Sequence, residues 1–193
     1  VENGEEIAKR TFNPRVGVVG GISILGTSGI VHPLSNDAFI RSIRRELEVA
    51  WAMGRRDIGL VAGMKSEKAL REERDIRCIH YGNFIGEALK AAYDIGFRHV
   101  TLAIMIGKAV KLADGNLDTH SHKVVMNKDF LISTAKQLGI DPSPISHITM
   151  ARELWNIMPA CFFERIKTLC HENTKTVFPQ GEIKIKLICD TLQ

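Results

Sequence analysis

The sequence predicts an α/β protein with a mostly parallel, Rossmann-like sheet flanked by helices, and three observations carry that expectation. Short apolar, β-branched runs precede amphipathic segments, glycines punctuate the junctions, and the run from Val100 to Ile106 is apolar enough to be buried on both faces. Four strand-then-helix units in series place parallel strands side by side with right-handed crossovers. At 193 residues, 45% hydrophobic and 6% aromatic, the chain is expected to form one α/β domain over residues 1–193 with a sizeable core.

The elements follow in order. Val16-Gly17-Val18-Val19 reads as a buried strand opening into a glycine-rich loop, Gly20 to Leu34. Ser35 offers an N-cap, Asp37 an acid in the first turn, and Ala38, Ile40, Ile43, Leu47 and Ala50 fall at helical spacing until Gly54. Ile58 to Val61 is a strand, Gly63 a turn, and Ser66 to Arg74 a charged helix. Ile76 to Tyr81 is a third strand, followed by a helix from Phe84 to Ala92 closed by Gly96; Val100 to Ile106 is the fourth, with a helix from Gly107 to Ala113 behind it. Val125 to Leu138, closed by Gly139, is amphipathic, and Asp141-Pro142-Ser143-Pro144 is a turn. The helical stretch from Met150 to Cys170 is broken near Pro159. Thr176 to Phe178, Pro179-Gln180-Gly181 and Ile183 to Ile188 read as a short C-terminal β-hairpin or two edge strands, with Lys184 and Lys186 pointing outward.

Charge excludes some functions. Lys+Arg 26 against Asp+Glu 22 leave a net charge of +4, too small and dispersed for a nucleic-acid footprint, although compatible with anionic small molecules. No apolar run reaches the roughly 18 residues of a membrane span. Cys78, Cys161, Cys170 and Cys189 form no CxxC pair, so no disulfide framework is expected and a reducing cytoplasm is the default compartment. The opening Val1-Glu2-Asn3-Gly4 is expected to be internal to a longer polypeptide.

Ligand-binding residues are expected at the carboxyl ends of the strands, where helix N-termini and backbone N–H groups stabilise anions. In the first glycine loop, Gly26 and Gly29 bracket the hydroxyls of Thr27 and Ser28, but no G-x-G-x-x-G or Walker lysine is present. Asn83, Gly86 and Glu87 open the helix after the third strand, either as ligand contacts or as a cap and first-turn acid. Lys108 and Lys111 share one helical face after the fourth strand, a suitable counter-ion for a carboxylate or simply a solvated face. Asp114, Asn116, Asp118, Thr119 and His120 cluster beyond. His120-x-His122 has no further ligand at metal-binding spacing, so no protein-bound metal is expected and His120 is read as a general base or hydrogen-bond donor. No covalent nucleophile stands out.

Four blocks carry a family resemblance: Gly4 to Arg15, Gly20 to Val31, Asn83 to Leu89, and Ile106 to Gly115 with Thr119-His120-Ser121. Together they resemble the C-terminal part of the CbiD family, the cobalt-precorrin-5B C1-methyltransferases of anaerobic cobalamin biosynthesis. The resemblance implies methyl transfer from S-adenosylmethionine to ring carbon C1 of an anionic cobalt tetrapyrrole, cobalt belonging to the substrate alone. Gly26, Thr27, Ser28, Gly29, Asn83, Gly86 and Glu87 would then hold the donor, Lys108, Lys111 and Thr119 the macrocycle, and His120 would orient it or move a proton. Neither a nucleic acid nor a membrane is an implied partner; the family's N-terminal domain, absent from this sequence, or a second copy of the chain is. The chain has Ile104-Met105 where the family often has Gly-His, and Ala62-Gly63-Met64 where a Pro-Gly-Asn turn is usual. Two alternatives remain beside this expectation: the ligand-binding half of a divided or fused enzyme, and a nucleotide-dependent oxidoreductase.

Overall fold

The computed structural model of the protein describes residues 2–11, 14, 19–22, 35–72, 75–120 and 124–189. The expected strand at 16–19, apart from its last residue, and Gly26, Thr27, Ser28 and Gly29 lie outside them, as do Ser121 and His122. Four strands are described: β1 (Asp57–Val61), β2 (Cys78–His80), β3 (His99–Met105) and β4 (Glu182–Ile188). They form one sheet in the order β2-β1-β3-β4, every neighbouring pair parallel.

A short helix, α1 (Gly4–Lys9), opens the described chain. α2 (Asn36–Ala52) begins where the Ser35 hydroxyl accepts a hydrogen bond from the N–H of Ala38 at 3.2 Å. α3 (Met64–Arg71) connects β1 to β2, and α4 (Ile85–Ile95), ended by the left-handed Gly96, connects β2 to β3. α5 (Ile106–Ala113), α6 (Lys128–Gln137), α7 (Ser143–His147), α8 (Leu154–Ile157) and α9 (Ala160–Thr174) precede β4. Pro159 caps α9 and separates it from α8, which is the break expected there. No helix among the described residues is long and apolar enough to cross a membrane.

The layering follows from handedness. From β1 the chain steps outward to β2 and then back past β1 to β3 and β4, so right-handed crossovers put α3 on one face of the sheet and the later helices on the other. The larger core lies on the second face: Ile58, Leu60, Leu102 and Ile104 are fully buried with Leu47, Leu89 and Phe162, each side chain contributing roughly 1.5–3 kcal/mol. On the first face Val61, Leu70, Cys78 and Ala103 form a smaller cluster. Gly59 allows the close approach there, since a Cβ at that position would stand 2.5 Å from Leu70 Cδ2.

Four expectations are corrected. The C-terminal segment is not a hairpin: Thr176 to Phe178 form no strand, and β4 pairs in parallel with β3 over its whole length, Val100 against Ile183 and Met105 against Ile188. Lys186 does not point freely outward; its ammonium donates to the carbonyl of Ala69 at 2.9 Å. Asp141 to Pro144 lead into a helix, because Asp141 Oδ1 accepts from both the N–H and the hydroxyl of Ser143, at 3.0 and 2.7 Å. The helix expected from Val125 starts later, at Lys128, where Asn127 accepts from the N–H of Phe130.

Candidate functional site at the carboxyl rim

Parallel strands deliver the residues that follow them to one rim. In an open doubly wound sheet the crevice lies where the crossover direction reverses, which here is between β1 and β3. Asn83 comes three residues after the end of β2 and Lys108 three after the end of β3. Their side chains meet, Lys108 Nζ donating to Asn83 Oδ1. Because β1 lies between β2 and β3, this contact crosses the rim at the end of β1.

The segment after α5 closes over the same point. Thr119 donates its N–H and its hydroxyl to the Asn83 carbonyl, at 3.0 and 3.3 Å. Lys111 Nζ reaches the Thr119 carbonyl at 3.4 Å. Phe84 and Asp118 form an isolated antiparallel bridge, and Gly86 donates its N–H to Leu117 O at 3.0 Å. Gly86 is required by this contact, for a Cβ would stand 2.8 Å from that of Leu117. Asp118 Oδ1 accepts from the N–H of His120 at 3.1 Å, which fixes the backbone before the histidine. Asn83, Lys108, Lys111 and Thr119 thus converge, and His120 follows Thr119 in the chain.

The lysines are electrostatically poised. Burial, foremost, and then the neighbouring Lys111 push the Lys108 ammonium below the ordinary lysine range, with Asp118 opposing; burial also lowers Lys111. The oxygen held by Lys108 belongs to a neutral amide, so the local positive charge is left for an incoming anion.

Gly86 and Glu87 fall elsewhere. They line an adjoining groove of about 490 Å³ with Asp37, Phe84, Lys90 and Asp118, so that three carboxylates and one ammonium face it. Consecutive residues, Asn83 and Phe84, therefore belong to two neighbouring zones, the groove being the richer in carboxylates. Gly26, Thr27, Ser28 and Gly29 lie outside the described residues, so their expected convergence with the lysines is not part of this geometry.

Sequence reasoning missed a second cluster at this rim. His80 ends β2 opposite Val61, with Nε2 2.5 Å from Glu67 Oε2 on α3. The other carboxylate oxygen, Oε1, accepts from Arg71 Nη2 at 2.8 Å. The signal available was a polar residue at the end of the apolar run Ile76 to Tyr81; Glu67 carries no comparable mark, because helical periodicity does not show which acid faces the sheet.

With the geometry established, comparison with known proteins becomes informative. A family model described as CbiD matches residues 1–33. The chain is 37% identical over 200 residues to a protein of Prosthecochloris aestuarii named cobalt-precorrin-5B C(1)-methyltransferase, an alignment covering 97% of this chain and 54% of that protein. Proteins of the same name from Thermoanaerobacter sp. and Thermus thermophilus are 41% and 39% identical, over 77% and 75% of this chain and 41% of each of theirs. The chain spans about half the length of the curated relatives it matches. No solved structure matches it.

Proposed function

This chain belongs to the CbiD family, and from that premise we propose that it serves methyl transfer from S-adenosylmethionine to C1 of cobalt-precorrin-5B, a cobalt-bearing polycarboxylate macrocycle. The observation that carries the reading is the Lys108–Asn83 contact across the end of β1, with Lys111 beside it. Two ammonium groups on adjacent turns, with no carboxylate as hydrogen-bond partner among the described residues, suit the carboxylates of such a substrate.

The neighbouring groove suits a cationic donor. Asp37 and Glu87 stand in the first turns of α2 and α4 beside Asp118, and carboxylates there favour a sulfonium, an ammonium and ribose hydroxyls. When bound, S-adenosylmethionine supplies an electrophilic methyl group. The chain's own residues bind and orient: the lysines hold the macrocycle edge, Thr119 and Asn83 fix the wall between the two zones, and His120 aligns the acceptor. Methyl displacement is accelerated chiefly by such alignment at contact distance.

The reading is tested by calorimetric titration with S-adenosylhomocysteine and with uroporphyrin I, an octacarboxylate macrocycle. Lys108→Ala is expected to weaken the porphyrin at least several-fold, as for loss of one charge-assisted contact, and to leave S-adenosylhomocysteine affinity within about twofold. Equal porphyrin affinity in both proteins would remove Lys108 from the site.

A further inference from the structure

The Glu67–His80 pair is a titratable cluster that the proposed reaction does not use. Glu67 is nearly inaccessible, its side chain 6% exposed, and His80 retains 16%. Both carboxylate oxygens are engaged, one on the imidazole and the other on the Arg71 guanidinium. Burying a carboxylate is costly unless it is paired, and here the pairing fixes the ring through Nε2. No partner among the described residues takes Nδ1, so the ring offers that nitrogen at the accessible end of the strand.

Position gives this geometry a meaning. His80 is the last residue of β2 and Asn83, which carries the Lys108 contact, lies three residues on; three residues span at most about 10 Å. From α3 the ring faces Glu67 and Arg71; on its own strand stands Cys78, whose thiol burial pushes up and so keeps neutral, and the register neighbour on β1 is the apolar Val61. A carboxylate bound to one imidazole nitrogen fixes the ring's orientation and leaves the other nitrogen for a ligand.

We propose that His80, oriented by Glu67, is a third cationic contact for a carboxylate-bearing ligand held by Lys108 and Lys111, binding it as the imidazolium through Nδ1–H. This rests on the reading of the lysine cluster as a carboxylate site. The proton comes from solvent: binding is accompanied by proton uptake at Nδ1, Nε2–H remaining on Glu67. Affinity for a polycarboxylate therefore falls as pH rises through the histidine range.

The test is a Soret-band titration of the full chain with uroporphyrin I from about pH 6 to about pH 8, on the natural sequence and on His80→Asn, His120→Asn, Glu67→Gln and Lys108→Ala. The natural chain is expected to lose roughly tenfold in affinity across that range, the worth of one charge-assisted contact. His80→Asn should flatten the profile at the weaker, high-pH value; His120→Asn and Lys108→Ala should keep its slope. Glu67→Gln, which removes the carboxylate that orients the ring, should reduce the slope, a change that a merely structural carboxylate would not produce. Circular dichroism establishes that each variant is folded, and a Glu67→Gln that unfolds leaves the His80 and His120 comparison to decide. A slope unchanged in His80→Asn, or abolished in His120→Asn alone, overturns the proposal while leaving the lysine site intact. Absence of porphyrin binding by the natural chain at every pH overturns the lysine reading and this inference with it.

Discussion

Lys108 concentrates the tension between stability and binding in one side chain. Its ammonium is lowered below the ordinary lysine range by burial and by Lys111, so the folded state binds its proton less firmly than the unfolded chain does. The unfolded chain thus holds more protons over the interval between the two values, and stability rises with pH there. Below both values the penalty is fully present. Lys108→Met, which keeps the apolar stem and removes the charge, is therefore expected to raise Tm at neutral pH while weakening binding of a polycarboxylate macrocycle. Differential scanning fluorimetry beside the porphyrin titration measures both, and a lower Tm would mean that the Asn83 hydrogen bond outweighs the desolvation of the ammonium. Sites that sacrifice stability for ligand charge show this opposition.

Two glycines at the level of elements respond oppositely to the same substitution. Gly59 lies under α3, where a Cβ would be 2.5 Å from Leu70 Cδ2 and 3.4 Å from Cys78 Sγ, so Gly59→Ala is expected to cost about 1–3 kcal/mol. Gly107, in the first turn of α5, has among the described residues only the Ala151 Cβ within 4 Å, at 3.9 Å, so Gly107→Ala should gain roughly 0.4–1 kcal/mol by restricting the unfolded chain. Urea unfolding measures both, and a Gly59→Ala as stable as the natural protein would show that α3 shifts freely. Elements whose signals are local were legible: Ser35 caps α2, Gly96 ends α4 and Pro159 separates α8 from α9. β4 was not, because Pro179-Gln180-Gly181 looks like a hairpin turn when its neighbours alone are considered. Its actual partner is β3, far back in the chain, and Gly181 serves a close approach instead: a Cβ there would stand 2.7 Å from the Arg98 carbonyl, to which Glu182 donates its N–H. The site divides in the same way. Asn83 and Lys108 were legible as residues following strands, whereas their contact, the partition of Gly86 and Glu87 into a separate groove, and the Glu67–His80 pair depend on the order of strands in the sheet.

At the scale of the molecule, the rim site stands on a core that is continuous across the helical face of the sheet. Trp51 on α2 packs edge-on against Phe97, ring centroids 5.1 Å apart, and Trp155 on α8 stacks on Phe163 at 4.1 Å. Both indoles border the same buried cluster, one near α4 and the other near α9. They are the chain's only two tryptophans, so Trp51→Phe leaves a reporter on the α8–α9 side and Trp155→Phe leaves one on the α2 side. If the face melts as one cooperative unit, the urea midpoint from fluorescence should coincide with that from far-ultraviolet circular dichroism within each variant. Comparing probes inside a variant removes the stability change that the substitution itself introduces. A fluorescence midpoint below the dichroism midpoint in Trp51→Phe would divide the core between α4 and the packed pair α5 and α9, separating the support of the lysines from that of Asn83. The contact across the end of β1 would then join two independently stable parts, and a ligand bridging Lys108 and Asn83 should draw the two midpoints together.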